Sequence, residues 1–213
     1  MKNLIIIIFL SFLTACGPRT NVTKSWSSTD APGKPLNKVM IVAIMPEKDR
    51  ILREQMEQKL AENLAAEGYT TTSAYAEYGP KALQNLNEAQ VLKKIKNSNI
   101  DGVITISLLD REKEESYAPG KVTYFPFANR YNRFWSYYTT YFKRVYSPTY
   151  YTTGTNYFIE TNLYDVVSNK LLYAAQSETF DLAKAQNLAA TYSIAIVKNM
   201  KEKKLLNKNS TKP

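Results

Sequence analysis

Residues 39–45 read VMIVAIM, seven apolar residues in succession closed by Pro46. An unbroken apolar run of this length predicts a strand buried on both faces, because a half-exposed strand would alternate. Directly after it, Leu52, Met56, Leu60 and Leu64 recur at every fourth position among Glu, Gln, Lys and Arg between Asp49 and Glu67, and Gly68 follows. That spacing predicts an amphipathic helix with a glycine stop. Tyr69 to Tyr75 alternates Thr, Ser, Ala and Tyr in strand fashion. A second helix is predicted from Asn87, with Gln90 three places on as a capping partner and Val91, Leu92 and Ile95 as its apolar side. Ile100 to Leu109 is a further, largely apolar strand. Strand, helix, strand, helix, strand is the order that yields a parallel sheet covered by helices.

The last third changes character. Tyr157, Ile159, Thr161 and Leu163 alternate with Phe158, Glu160, Asn162 and Tyr164, and a short turn around Val167-Ser168-Asn169 joins them to Leu171–Phe180. This predicts a β-hairpin. A closing helix after Asp181 carries Leu182, Leu188, Tyr192, Ala195, Ile196 and Met200. The expected fold is therefore a single mixed α/β (α+β) domain: β-α-β-α-β, then a hairpin, then a C-terminal helix.

Composition narrows the chemistry. The 213 residues include one cysteine and no histidine, with 28 Lys plus Arg against 19 Asp plus Glu for a net charge of +9. A 44% hydrophobic and 22% charged chain is an ordinary globular one, not a disordered or multi-span one. Without histidine the chain lacks the side chain that titrates near neutrality unaided and the commonest transition-metal ligand. One cysteine excludes an internal disulfide, a CxxC pair and a cysteine zinc site. No GxxxxGK, GxGxxG, GxSxG or HExxH motif occurs. Asp110, Glu112, Glu114 and Glu115 read as an exposed acidic loop mixed with Arg111 and Lys113, and Glu160 and Asp165 as solvent-facing or turn residues. No catalytic set, metal site or cofactor is expected, so the chain reads as a non-enzyme, with an envelope hydrolase using acidic residues as the remote alternative.

Residues 1–16 read MKNLIIIIFLSFLTAC. Lys2 followed by a ten-residue, largely apolar stretch from Leu4 to Leu13 has the form of a signal peptide and is too short for the about 20 residues that a spanning helix needs. Leu13-Thr14-Ala15-Cys16 resembles the lipobox of bacterial lipoproteins. The resemblance implies cleavage between Ala15 and Cys16, a diacylglyceryl thioether on Cys16 and acylation of the new amine. Two or three acyl chains hold a protein on a bilayer, where one is marginal. Gly17 in place of an aspartate implies, by the same resemblance, delivery to the outer membrane, with the periplasmic face favoured over the cell surface.

Residues 17–37, GPRTNVTKSWSSTDAPGKPLN, show no apolar period and read as a flexible tether of roughly 25 Å root-mean-square span. The expected organisation is then a signal peptide at 1–15, a lipidated N-terminus and tether at 16–37, an α/β domain at 38–203 interrupted by a Tyr/Arg-rich insertion at 117–156, and a basic disordered tail at 204–213. The stretch from Lys198 holds six lysines and one glutamate and is expected to fray. Between Tyr117 and Tyr151 there are nine Tyr, four Phe and one Trp among cations, and no acidic residue lies from Ser116 to Ile159. Insertion and tail contribute +5 each, leaving a core of −2 once Lys2 is removed with the signal. A structureless loop of that length is unusual in a compact domain, so it is a functional excursion or hides extra strands, Lys121–Phe127 being one candidate.

Tyr124, Arg130, Tyr131, Arg133, Trp135, Tyr137, Tyr138, Tyr141, Lys143 and Arg144 form the candidate binding surface. Large rigid aromatic area with planar Arg donors matches protein-binding surfaces. Aromatic faces stacking on sugars, with cations nearby, would equally suit peptidoglycan or lipopolysaccharide. Rings that merely fill the space against the sheet are the plain structural alternative. Nucleic acid is not an expected partner of an exported lipoprotein, although aromatics among cations can bind single strands.

The lipobox, the strand at Val39, the helix from Asp49, the Tyr-rich interruption, and the runs Glu160-Thr161-Asn162-Leu163-Tyr164-Asp165 and Lys170–Thr179 together resemble a group of uncharacterised Gram-negative envelope lipoproteins. Their domain is similar to the α/β modules of curli-secretion and penicillin-binding-protein-activator lipoproteins. Of the functional residues the resemblance transfers Cys16 alone; the lipid anchor, the tether, the missing catalytic set and the aromatic surface are what point to a non-enzymatic accessory module with an envelope protein partner. The long cationic insertion departs from the compact activator domains.

Overall fold

The computed structural model describes residues 19–29, 36–80, 86–112, 156–180 and 185–206. They form one six-stranded mixed sheet in the order β1-β6-β5-β4-β2-β3. The strands are β1 (Arg19–Ser27), β2 (Lys38–Ile44), β3 (Thr70–Ser73), β4 (Gly102–Glu112), β5 (Asn156–Asp165) and β6 (Leu171–Phe180). The helices are α1 (Arg50–Ala66), α2 (Ala74–Tyr78), α3 (Glu88–Asn97) and α4 (Ala185–Glu202). β2 pairs parallel with both β3 and β4, whereas β4, β5, β6 and β1 are joined antiparallel. This is the mixed α/β architecture expected from the sequence.

The apolar run at 39–45 is buried on both faces because the sheet is covered on both. Val39, Ile41, Ala43 and Met45 enter one cluster with Leu52, Met56, Leu60 and Leu64 of α1 and Leu188, Tyr192, Ile196 and Met200 of α4. Met40, Val42 and Ile44 enter a second cluster with Ala74 of α2 and Val91 and Ile95 of α3. The every-fourth-residue stripes of α1 and α4 are thus the seams that sit on the sheet, and their burial is the main driving force for assembly. The two helices also meet each other, with Asn63 Nδ2 donating to Ser193 Oγ at 2.7 Å and Lys201 paired with Glu67 at 2.9 Å.

Three helix ends close in the same way. Gly68 (φ +89°) follows α1, the Tyr69 N–H returns to the Leu64 carbonyl at 3.2 Å, and the Gly68 N–H bonds Ala65 at 2.9 Å. These are the two bonds of a Schellman stop, with Tyr69 and Leu64 in the same apolar cluster. Asn99 and Lys204, both at positive φ, occupy the equivalent place after α3 and α4. Asn87 and Gln90 form the expected reciprocal capping box on α3.

Four expectations are corrected. First, residues 19–27 of the supposed tether are the edge strand β1, paired with β6 from Arg19↔Phe180 to Ser27↔Tyr173. An edge strand needs few apolar residues, and a register shift between Val22 and Lys24 lets Val22 pack on the first cluster and Trp26 on the second, which hides any simple alternation. Second, the Tyr69–Tyr75 strand ends at Ser73, whose Oγ accepts the Ala76 N–H at 3.1 Å and so caps α2. Third, the chain from Lys198 does not fray at once: α4 continues to Glu202, and Leu205 and Leu206 fold back on the first cluster, with the Leu205 N–H bonded to the Met200 carbonyl at 3.0 Å. Fourth, Asp110 and Glu112 belong to β4 rather than to a loop. The candidate strand at 121–127 and the final residues 207–213 lie outside the described residues.

Candidate functional site

Strand directions gather particular chain ends at one edge of the sheet. The carboxyl ends of β2, β3 and β4, the amino ends of β5 and β1 and the carboxyl end of β6 all lie there, as the pairs Glu112↔Asn156, Tyr157↔Thr179 and Arg19↔Phe180 require. In this chain β2 is flanked by β3 and β4, reached by helices on opposite faces, so the carboxyl ends of β2 and β4 meet at a topological switch point. Open α/β sheets bind ligands at such points.

Around the carboxyl ends of β2 and β3 the dominant group is Glu57 of α1, 2% exposed. Its Oε1 accepts the Ala43 N–H at 2.8 Å, and its Oε2 accepts the Ser73 hydroxyl at 2.5 Å and the Tyr75 N–H at 2.7 Å. Burial pushes this carboxyl above its ordinary range, opposed by the Ser73, Ala43 and Tyr75 bonds and by Arg53. Arg53, also buried, lies with its guanidinium carbon 5.4 Å from the centre of the Tyr75 ring. A carboxylate holding three protein donors is a brace between β2, β3 and α2, not a group poised to exchange protons with a substrate.

On the outer side of α1 a groove of about 380 Å³ runs along the edge strand β3, lined by Glu54, Gln58, Glu62, Thr71, Thr72 and Tyr75 among others. The Thr71 hydroxyl donates to the Ala61 carbonyl at 3.0 Å and closes its floor. Glu62 is held ionised below the usual carboxylate range by Lys59, 2.6 Å away, with Gln58 adding a second bond.

The two lipidation residues, Ala15 and Cys16, lie outside the described residues, as do all ten members of the candidate binding surface, Tyr124 to Arg144. What is placed is where they join the domain. The stretch holding the Tyr/Arg surface departs after Glu112 and returns at Asn156, a directly paired couple, and Arg19 follows Cys16 by three residues. All three positions are at the same end of the sheet.

Glu160, expected to face solvent, is 6% exposed, and Asp165, also buried, accepts the Val167 N–H at 2.9 Å and the Ser168 hydroxyl at 2.7 Å to shape the hairpin turn. Glu160 sits in a polar patch with Thr105, Ser107, Asn162 and Gln176, which sequence reasoning passed over because each residue taken singly is unremarkable in a strand. Among the described residues, no cluster of three or more Asp, Glu, Cys or His suited to a metal ion is present, and no helix is long and apolar enough to cross a membrane.

No protein-family model matches the chain, and no curated protein matches it. Among solved structures, the PelC dodecamer from Paraburkholderia phytofirmans is similar at 14% identity and a TM-score of 0.42, over 84% of this chain and 94% of that one. Lipoprotein GNA1162 from Neisseria meningitidis is similar at 13% identity and a TM-score of 0.41, over 78% of this chain and 99% of that one. Likenesses this distant carry no argument about function.

Proposed function

We propose that the chain is a lipoprotein anchored in the outer membrane through Cys16, facing the periplasm, and that it acts as a non-enzymatic binding or assembly module using its Tyr/Arg-rich stretch. One observation carries the reading: Arg19, three residues beyond Cys16, begins β1 at the same sheet end where that stretch leaves at Glu112 and returns at Asn156. Three residues reach at most about 10 Å. With β1 built into the sheet there is no long tether, so a lipid on Cys16 brings this end of the domain close to the bilayer surface. Tyrosine, tryptophan and cationic side chains are at home at that depth, and an envelope protein partner would meet them there.

The test has two parts. Cys16→Ser should abolish incorporation of radiolabelled fatty acid and move the protein from the membrane to the soluble fraction; persistent labelling removes the anchor from the reading. Crosslinking of the lipidated protein in membranes should recover a defined envelope protein, and replacing Arg130, Arg133, Tyr137 and Tyr138 together should lose it. Recovery of bulk lipoproteins alone, unchanged by the four substitutions, overturns the binding role.

A further inference from the structure

The face of the sheet that carries α2 and α3 has two polar rows. In one, Ser107, Glu160 and Gln176 stand on successive strands as directly opposed partners; in the next, Thr105 stands opposite Asn162. Opposed residues share a face with Cβ atoms about 5 Å apart. The five side chains therefore make one contiguous patch, flanked by Val42 and Ile44 of β2 at the equivalent register positions. All five are buried, Glu160 at 6%, Gln176 at 5%, Asn162 at 2%, and Thr105 and Ser107 at 0% exposure.

The hydrogen bonding of this patch is unbalanced. Glu160 accepts from Asn162 Nδ2 at 3.1 Å and from Gln176 Nε2 at 3.3 Å, both neutral donors and both long for bonds to a carboxylate. A carboxylate offers about four acceptor positions, so half its capacity is unmet among the described residues. Thr105 Oγ1 and Ser107 Oγ are fully buried with no hydrogen-bond partner among the described residues. Among the described residues no cation pairs with Glu160. Lys24, one strand further along the Gln176 row, is exposed. Buried charges in proteins are paired or coordinated, and buried hydroxyls are bonded. A site with surplus acceptors, net negative charge and one N–H of each amide already turned to the carboxylate matches one kind of guest, a compact group with several N–H donors and a positive charge. An anionic group would be repelled, and a neutral polyol would leave the carboxylate uncompensated. One carboxylate with two hydroxyls and two amides is also a poor match for a transition metal.

We propose that Glu160, Ser107, Thr105, Asn162 and Gln176 form a receptor for a single guanidinium or ammonium group. Glu160 supplies the charge, the two hydroxyls accept the remaining N–H groups, and the amides hold the carboxylate in place. Such a group has two sources, an Arg or Lys side chain of this chain's own cationic stretch, whose return point Asn156 is four residues from Glu160, or an amine on a separate molecule.

The experiment uses the full chain in detergent, its Glu160→Gln variant and, should that variant fail to fold, Ser107→Ala. Trypsin cleavage after Lys121, Arg130, Arg133, Lys143 and Arg144 is timed by mass spectrometry, with cleavage in the C-terminal lysine run as the internal reference. Thermal unfolding is followed with and without millimolar arginine amide, with citrulline amide as the uncharged control. If the guest is intrachain, neutralising Glu160 accelerates cleavage at those five sites about tenfold, the change that corresponds to about 1.4 kcal/mol, and leaves the reference unchanged. If the guest comes from outside, cleavage rates are equal and arginine amide raises the midpoint of the native protein but not of the variant. Equal cleavage together with no selective response to arginine amide overturns the proposal.

Discussion

The backbone N–H of Ala43 in a strand donates a 2.8 Å hydrogen bond to the Glu57 carboxylate on a helix. β3 pairs with β2 only as far as Ile41↔Ser73, so the Ala43 N–H has no further rung to bond on that side. The Glu57 carboxylate takes the place of the missing strand, and its second oxygen holds the chain where β3 turns into α2. The bond explains how a four-residue strand can end inside a buried layer without leaving a donor orphaned.

Glu57→Ala removes the acceptor of three donors and should cost about 3 kcal/mol or more, since each buried unsatisfied group costs roughly 1–3 kcal/mol. Glu57→Gln keeps the shape but turns an amide N–H toward a backbone N–H, and should be intermediate. Urea denaturation with an unchanged slope is the measurement.

The same residue carries a pH signature. Burial raises the Glu57 carboxyl above its ordinary value of 4.5, so the folded state holds that proton more tightly than the unfolded chain. Its contribution is fully present below pH 4.5 and is lost as pH rises through the raised folded value. Stability of Glu57→Gln, measured across that window, should lack this component of decline; identical pH profiles for the two proteins would refute the assignment.

Tyr192 of α4 bonds Thr161 of β5 at 2.5 Å inside the first core cluster. Tyr192→Phe leaves the Thr161 hydroxyl unpaired and should cost about 1–2 kcal/mol, whereas Tyr192→Phe with Thr161→Val should recover part of that loss, because two apolar groups replace a matched polar pair. Burial also pushes the Tyr192 hydroxyl, and that of Tyr173, well above the ordinary 10. The stability they contribute is intact below pH 10 and falls above it, which alkaline denaturation of the single variants will show.

Hydrogen exchange separates a strand from a tether at residues 19–27. Amides of β1 that bond to β6 should be protected by at least about a hundredfold, each tenfold corresponding to about 1.4 kcal/mol of opening free energy. Exchange at the rate of free peptide would contradict the edge-strand assignment.

Asn87→Ala should cost about 1 kcal/mol through loss of the α3 capping box, with the largest increase in exchange confined to the first turn of α3.

Much of the architecture was legible along the chain. The run at 39–45, the stripes Leu52 to Leu64 and Leu188 to Met200, and the hairpin at 157–180 are periodic signals that depend only on which face of an element is apolar, and periodicity is written locally. The Asn87–Gln90 box and the Gly68 stop are likewise short-range chemistry. β1 escaped notice because an edge strand is specified by the partner whose backbone it bonds: Thr20 meets Thr179 at 2.8 Å across 159 residues. The Leu205–Leu206 return escaped for the same reason, since six nearby lysines dominate composition while two leucines decide the packing.

Sequence alone therefore determined the order and type of the elements from β2 onward except the short α2, the fold class, and the exclusion of histidine, disulfide and zinc-cysteine chemistry, because each follows from local periodicity or from a residue count. Only the tertiary structure decided that Arg19, Glu112 and Asn156 share one end of the sheet, that Glu57 is a brace, and that Glu160 is buried beside two hydroxyls without a partner among the described residues. Each of these is a relation between residues far apart in sequence, created by strand order and register. A strand pattern read in isolation states which residues share a face, but not what lies opposite them or whether that face is covered.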